Sequence, residues 1–162
     1  MTIQVKGLRK KYFNKEAVKG VDFTIEPESI IGLLGRNGAG KSTVLNMIAR
    51  RIEKTSGDIT LDGVDLHKTP RAMHQVYLSS TENWFPKEYK FKDLLSIYKK
   101  TYPEFDSDFA EDLIKVFGVN VKERFSKAST GYQSIMKIIL ALCNPSEYIF
   151  MDEPVLGLDA NH

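Results

Sequence analysis

Ile30-Ile31-Gly32-Leu33-Leu34-Gly35-Arg36-Asn37-Gly38-Ala39-Gly40-Lys41-Ser42-Thr43 is the stretch on which the reading of this chain turns. Residues 30–34 are continuously apolar, as in a parallel strand covered on both faces, so a buried central strand is expected there. Gly35 to Ser42 then match G-x-x-x-x-G-K-[ST]. From Lys41 onward Val44, Leu45, Ile48, Ala49 and Ile52 recur at helical spacing, with Thr55-Ser56-Gly57 as the expected stop. Strand, glycine loop and helix is the setting in which this motif cradles phosphates. The glycines let the backbone close around a phosphate with its N–H groups turned inward, and the helix directs its positive end at the same point. Lys41 adds a full charge for the β- and γ-phosphates, and the Ser42 hydroxyl is placed to ligate Mg²⁺. The candidate nucleotide-binding residues of the loop are Gly35, Asn37, Gly38, Ala39, Gly40, Lys41, Ser42 and Thr43.

A second run of this kind, Tyr148-Ile149-Phe150-Met151, ends in Asp152-Glu153-Pro154. Carboxylates at the carboxyl end of a buried strand stand where α/β sheets bind ligands. Asp152 is therefore expected to hold Mg²⁺, directly or through water. Glu153, on the opposite side of the strand by alternation, is the candidate catalytic residue, acting on a water in line with the γ-phosphate as general base or orienter. Taken alone, Asp-Glu-Pro after a strand is also what a solvated turn looks like.

Outward from these two strands the pattern changes. Ile3 and Val5, then Val21, Phe23 and Ile25, and then Ile59 and Leu61 alternate with polar residues, which predicts an antiparallel β layer. Phe91, Leu94, Leu95 and Tyr98 mark one amphipathic helix, and Phe109, Leu113, Ile114 and Phe117 a second, closed by Gly118. A further helix is expected from about Gly131 to Leu142. A helical subdomain of approximately residues 84–130 is thus inserted into a single domain spanning 1–162.

Composition limits the alternatives. The 162 residues suit one domain, and 42% hydrophobic with 27% charged residues is ordinary globular composition. A formal net charge of +2 with interspersed signs does not make a nucleic-acid surface, so no nucleic-acid partner is expected. No apolar run reaches the ~20 residues of a bilayer-spanning helix, so membrane association is expected through a partner. Cys143, the single cysteine, sits among aliphatic residues and reads as core. His67, His74 and His162 have neither the pairing nor the cysteine neighbours of a zinc or iron site.

In its order of motifs the chain resembles the ATP-binding subunits of ABC transporters, over nearly its whole length. The fold this implies is α/β: a P-loop NTPase core with a mainly parallel sheet, an N-terminal antiparallel β layer and an inserted helical subdomain. The family's signature, Leu-Ser-Gly-Gly-Gln, stands here as Ala128-Ser129-Thr130-Gly131-Tyr132, with Gln133 one place late. Read without the family, Ser129-Thr130-Gly131 is an ordinary helix start. The resemblance makes it the site that takes the γ-phosphate of ATP bound by an opposing subunit. It also makes Tyr12 the aromatic that stacks on adenine, with Val18 a second apolar contact, and Asp159, in Gly157-Leu158-Asp159, part of a loop at the dimer interface. The lid glutamine of the family is absent after Val76-Tyr77-Leu78, and Ser80 or Glu82 is left to take over its contact to Mg²⁺ and water. Trp84-Phe85-Pro86 falls where the family receives its membrane subunit, although packing of the helical subdomain explains it equally well.

The resemblance implies an ATPase with ATP and Mg²⁺ as ligands and a transmembrane permease as partner. It further implies a homodimer or heterodimer of ATPase subunits and a cytoplasmic position, peripheral on the inner face of the membrane. The compact helical insert and Ser-Thr-Gly-Tyr-Gln look similar to ATPases of Gram-positive peptide exporters, the phenol-soluble modulin exporter type among them. In the family the domain continues past Gly-Leu-Asp to a further strand and a switch histidine. The sequence is accordingly expected to be C-terminally truncated, with weak or absent turnover by itself. A nucleotide-binding module without turnover and a soluble, non-transport ABC ATPase are the other functions this pattern accommodates.

Overall fold

The computed structural model describes residues 1–155 and 157. They fall into two compact units, residues 1–76 and the residues from Tyr77 onward. The fold is α/β, with an antiparallel β layer and a parallel sheet.

The first unit is built on β1 (Ile3–Tyr12), β2 (Lys15–Ile25), α1 (Lys41–Ile48), β3 (Ser56–Leu61), β4 (Val64–Asp65) and the single-turn α2 (Pro70–Met73). Its sheet runs in the order β2-β1-β3-β4 and every pairing in it is antiparallel. Alternation buries Ile3 and Val5 on one face of β1, and a bulge at Gly7 (φ 55°) moves the buried position on to Leu8. The cost of the bulge is borne by β3. A Cβ on Gly57 (φ 90°) would lie 2.4 Å from the Gly7 carbonyl oxygen, so only glycine fits that crossing. Gly57→Ala is expected to lower stability by about 2–4 kcal/mol, overpacking and left-handed strain together. Denaturant unfolding checks this, and a loss below about 0.5 kcal/mol would remove the argument.

α1 covers the sheet through Val44, Leu45, Met47 and Ile48, all buried, and is in contact with β2. It ends at Ile48, earlier than the periodicity through Ile52 predicts. The Met47 carbonyl is held by the buried His67 ring (Nε2 at 2.8 Å), and Arg50 turns left-handed at φ 54°. Thr55-Ser56-Gly57 does not stop the helix; it leads into β3.

The expected central strand at Ile30–Leu34 is not formed. Those residues carry no strand, and Ile30 and Leu34 are fully exposed, with Ile31 and Leu33 about half exposed. An unbroken apolar run expresses a demand for burial but names no neighbour, and a parallel strand exists only through its long-range neighbours.

The second unit holds β5 (Val76–Ser79, beginning one residue earlier), α3 (Phe91–Thr101), α4 (Ser107–Val116), a 3₁₀ turn at Phe125–Lys127, α5 (Thr130–Leu142) and β6 (Tyr148–Met151). β5 and β6 pair in a two-stranded sheet, and the Asp152 amide just beyond it donates to the Ser79 carbonyl at 2.9 Å. Both predicted amphipathic helices are present. Asp93 accepts from the Lys90 amide at the start of α3, the Asp106 carboxylate caps α4 through the Phe109 amide at 2.9 Å, and Gly118 (φ 62°) follows its end. α3 and α4 pack on α5 around Phe91, Leu94, Phe125, Met136, Ile139 and Leu140. Cys143 lies in the same core, where burial, with Asp106 nearby, pushes its thiol up to about 11.

Candidate functional site

The glycine loop turns directly into α1, without the strand expected before it. The Ala39 amide donates to the Arg36 carbonyl at 3.0 Å across a turn with Gly38 at φ 80°, and Gly40 at φ 94° leads into α1. A Cβ on Gly40 would lie 2.6 Å from the Ala17 carbonyl oxygen, so the base of the loop is pressed onto β2 while Gly35 to Ala39 stay exposed. No side chain caps α1 and its first turn holds no acid, which leaves the amides of Lys41, Ser42 and Thr43 free of local competition for an anion. The Lys41 ammonium folds back over the loop, donating to the carbonyls of Gly35 (2.8 Å) and Arg36 (3.2 Å). Ser42 is exposed at the first turn.

Tyr12 ends β1 beside the hairpin turn, 42% exposed, with the Lys10 ammonium 4.8 Å from its ring centre. A half-open ring of this kind can take a flat partner on its free surface. Val18 differs from the expectation. It is 4% exposed and sits beside Gly40, so it supports the loop from beneath instead of offering a second face to a base.

In the second unit the residues after β6 and β5 share one pocket of about 140 Å³, lined by Ser79, Ser80, Thr81, Asn83, Thr130, Gln133, Ser134, Lys137, Ile138, Asp152, Glu153 and Pro154. Asp152 is buried and Glu153 exposed. Both line this pocket, so the opposite-side placement expected of Glu153 does not hold. β6 ends at Met151 and Glu153 takes a left-handed φ of 50°, which ends the alternation. That conformation costs a non-glycine residue about 1–2 kcal/mol, and it occurs at the residue singled out for chemistry. Of the two substitutes for the lid glutamine, Ser80 lines the pocket and Glu82 does not.

The signature residues open α5 as an N-cap. The Ser129 hydroxyl accepts from the Tyr132 amide at 3.2 Å, Gly131 is buried, and Ala128, in the place of the leading leucine, lies in the core around α5. Tyr132, in the glutamine position, turns toward the end of α4. Its hydroxyl donates to the Gly118 carbonyl at 3.3 Å and accepts from the Asn120 amide. Phe85 and Trp84 divide the two explanations given for them. Phe85 stacks edge-on against Phe125, with ring centres 4.9 Å apart, and Trp84 is 74% exposed. Asp159 lies outside the described residues.

Among the described residues no group of three His, Cys, Asp or Glu side chains converges as a metal site. The exposed Ser42 hydroxyl of the first unit and the buried Asp152 carboxylate of the second are each oxygen donors of the kind Mg²⁺ takes beside phosphate oxygens and water.

The sequence pattern of the ABC transporter family matches residues 18–156. The chain is 34% identical over 158 residues to the ABC transporter ATP-binding protein YtrB of Bacillus subtilis (strain 168), covering 98% of this chain and 54% of that protein. It is 30% identical over 166 residues to the lipopolysaccharide export system ATP-binding protein LptB of Haemophilus influenzae, covering 97% and 69%. Relatives named for import are matched as well. A solved ABC transporter ATP-binding protein from Pyrococcus furiosus superposes with a TM-score of 0.85 at 21% identity, over 99% of this chain and 80% of its own. The chain thus spans about half the length of YtrB.

Proposed function

Because the chain belongs to the ABC transporter ATP-binding domain family, we propose that it binds Mg-ATP and that the whole protein hydrolyses it to drive export through a membrane permease. The observation that carries this reading is the phosphate loop, with its uncapped, acid-free helix start and a lysine already folded over it. Gly35 to Thr43 take the phosphates, Tyr12 stacks on the adenine, and Ser42 and Asp152 would hold Mg²⁺. When bound, the ion neutralises charge on the β- and γ-phosphate oxygens. Glu153 accepts a proton from, or orients, the attacking water, and Ser80 contributes a hydroxyl in the place of the lid glutamine.

Ser129, Thr130 and Gly131 offer a helix N-terminus to the γ-phosphate of ATP on a second subunit, identical or related, with Asp159 in the loop between subunits. The exposed Trp84 is the apolar contact for the permease, which holds the protein on the inner face of the membrane. Export is supported by the export relative LptB and by Ser-Thr-Gly-Tyr-Gln, whose similarity to peptide exporters makes peptides the cargo class.

The test is Mg-ATP binding by calorimetry and phosphate release by the full-length protein. Binding with turnover is expected. No binding would overturn the reading, and binding without turnover would favour a regulatory nucleotide-binding module.

A further inference from the structure

α5, Thr130-Gly131-Tyr132-Gln133-Ser134-Ile135-Met136-Lys137-Ile138-Ile139-Leu140-Ala141-Leu142, contains one charged side chain, Lys137. It lies four residues after Gln133 and hence on the same face of the helix. The Lys137 ammonium donates to three successive carbonyls, those of Ser80 (2.8 Å), Thr81 (2.9 Å) and Glu82 (3.3 Å). One turn earlier the Gln133 carbonyl oxygen accepts from the Asn83 side-chain amide at 2.7 Å, while the Gln133 amide group donates to the Ala128 carbonyl at 2.9 Å. Residues 80–83 are therefore attached to α5 at every position, by two side chains one helical turn apart.

Three consecutive carbonyls aimed at one point form an arrangement that binds a cation, and here the cation is a side chain. All three ammonium protons are used. Burial holds the lysine below its usual pKa. Ser80, Thr81, Asn83, Gln133 and Lys137 line the pocket that Asp152 and Glu153 line.

Resting on the ATPase reading above, we propose that Lys137 is a positioning residue for hydrolysis: it fixes the backbone of Ser80 to Glu82, so that Ser80 is set against the pocket of Asp152 and Glu153. A glutamine in this loop reaches its target with a long side chain. Serine is short, so the backbone that carries it must be placed accurately, and the ammonium clamp does this. The same clamp ties the loop to the helix that Ser129 opens. Loss of the clamp should disturb turnover far more than nucleotide binding, for which the phosphate loop is responsible.

The experiment compares wild type, Lys137→Met and Lys137→Arg in the full-length protein, by amide hydrogen exchange without nucleotide and by steady-state ATP hydrolysis. In Lys137→Met, exchange should rise over residues 79–83 and stay unchanged over residues 35–48. Its kcat should fall on the order of tenfold to a hundredfold, with KM for ATP within about twofold. Lys137→Arg keeps the charge and should recover part of both. Should Lys137→Met fail to fold, Lys137→Gln, shorter and neutral, carries the same comparison. Unchanged exchange at 79–83, or an unchanged kcat, overturns the positioning role while wild-type turnover leaves the ATPase reading standing. A wild type without turnover instead overturns the ATPase reading, and the role in hydrolysis falls with it.

Discussion

Lys41→Ala in the full-length protein is expected to weaken Mg-ATP binding on the order of a hundredfold or more, with the affinity for adenosine unchanged. The ammonium is a full positive charge folded over the glycine loop, where it donates to the Gly35 and Arg36 carbonyls. Hydrogen bonds to charged groups contribute about 1.5–3 kcal/mol each, and the lysine has more than one to give a polyphosphate. A purely structural role predicts a different outcome. If Lys41 served only to close the loop, its loss would lower thermal stability and reduce affinity for every nucleoside equally. Calorimetry with ATP, ADP and adenosine, read beside a thermal melt, separates the two. Equal ATP affinity in variant and wild type would remove the phosphate assignment.

Glu153→Gln is expected to reduce kcat by about a hundredfold to ten-thousandfold while leaving ATP binding within a few fold, the range for loss of a general base. The exchange is nearly isosteric. Both side chains meet the same demand from the backbone, a φ of 50° followed by Pro154, so the comparison isolates the carboxylate charge. Single-turnover kinetics beside equilibrium binding is the measurement. Wild-type turnover in the variant would take the catalytic role from Glu153, and loss of ATP binding would reassign it to the binding step.

The parts legible in the sequence were those specified locally. The glycine loop, α1, α3, α4 and α5 follow from helical spacing and from caps such as Asp106 and Ser129, none of which needs a distant partner. β4, with two residues, and α2, with four, are too short to leave a periodic trace. Ile30–Leu34 shows the opposite limit, where apolar character is written in the residues but pairing is not. Tyr132 was visible only as a departure from a motif, because its attachment to Gly118 and Asn120 depends on how α4 meets α5. The face of Gln133 and Lys137 left a usable signal. A lone lysine in an otherwise uncharged helix, four residues from a glutamine, points to a built contact, but its target among residues 80–83 lies more than fifty positions away.

Cys143 has a practical meaning for anyone who wishes to watch this protein at work. With its thiol pushed up to about 11 and its sulfur in the core, Cys143 carries little of the reactive thiolate at neutral pH. These residues thus offer a silent background for maleimide chemistry, with no need to remove the native cysteine and disturb the packing around α5. A fluorophore attached through a cysteine placed at Glu88, exposed and four residues from Trp84, would report docking of a partner against a dark baseline.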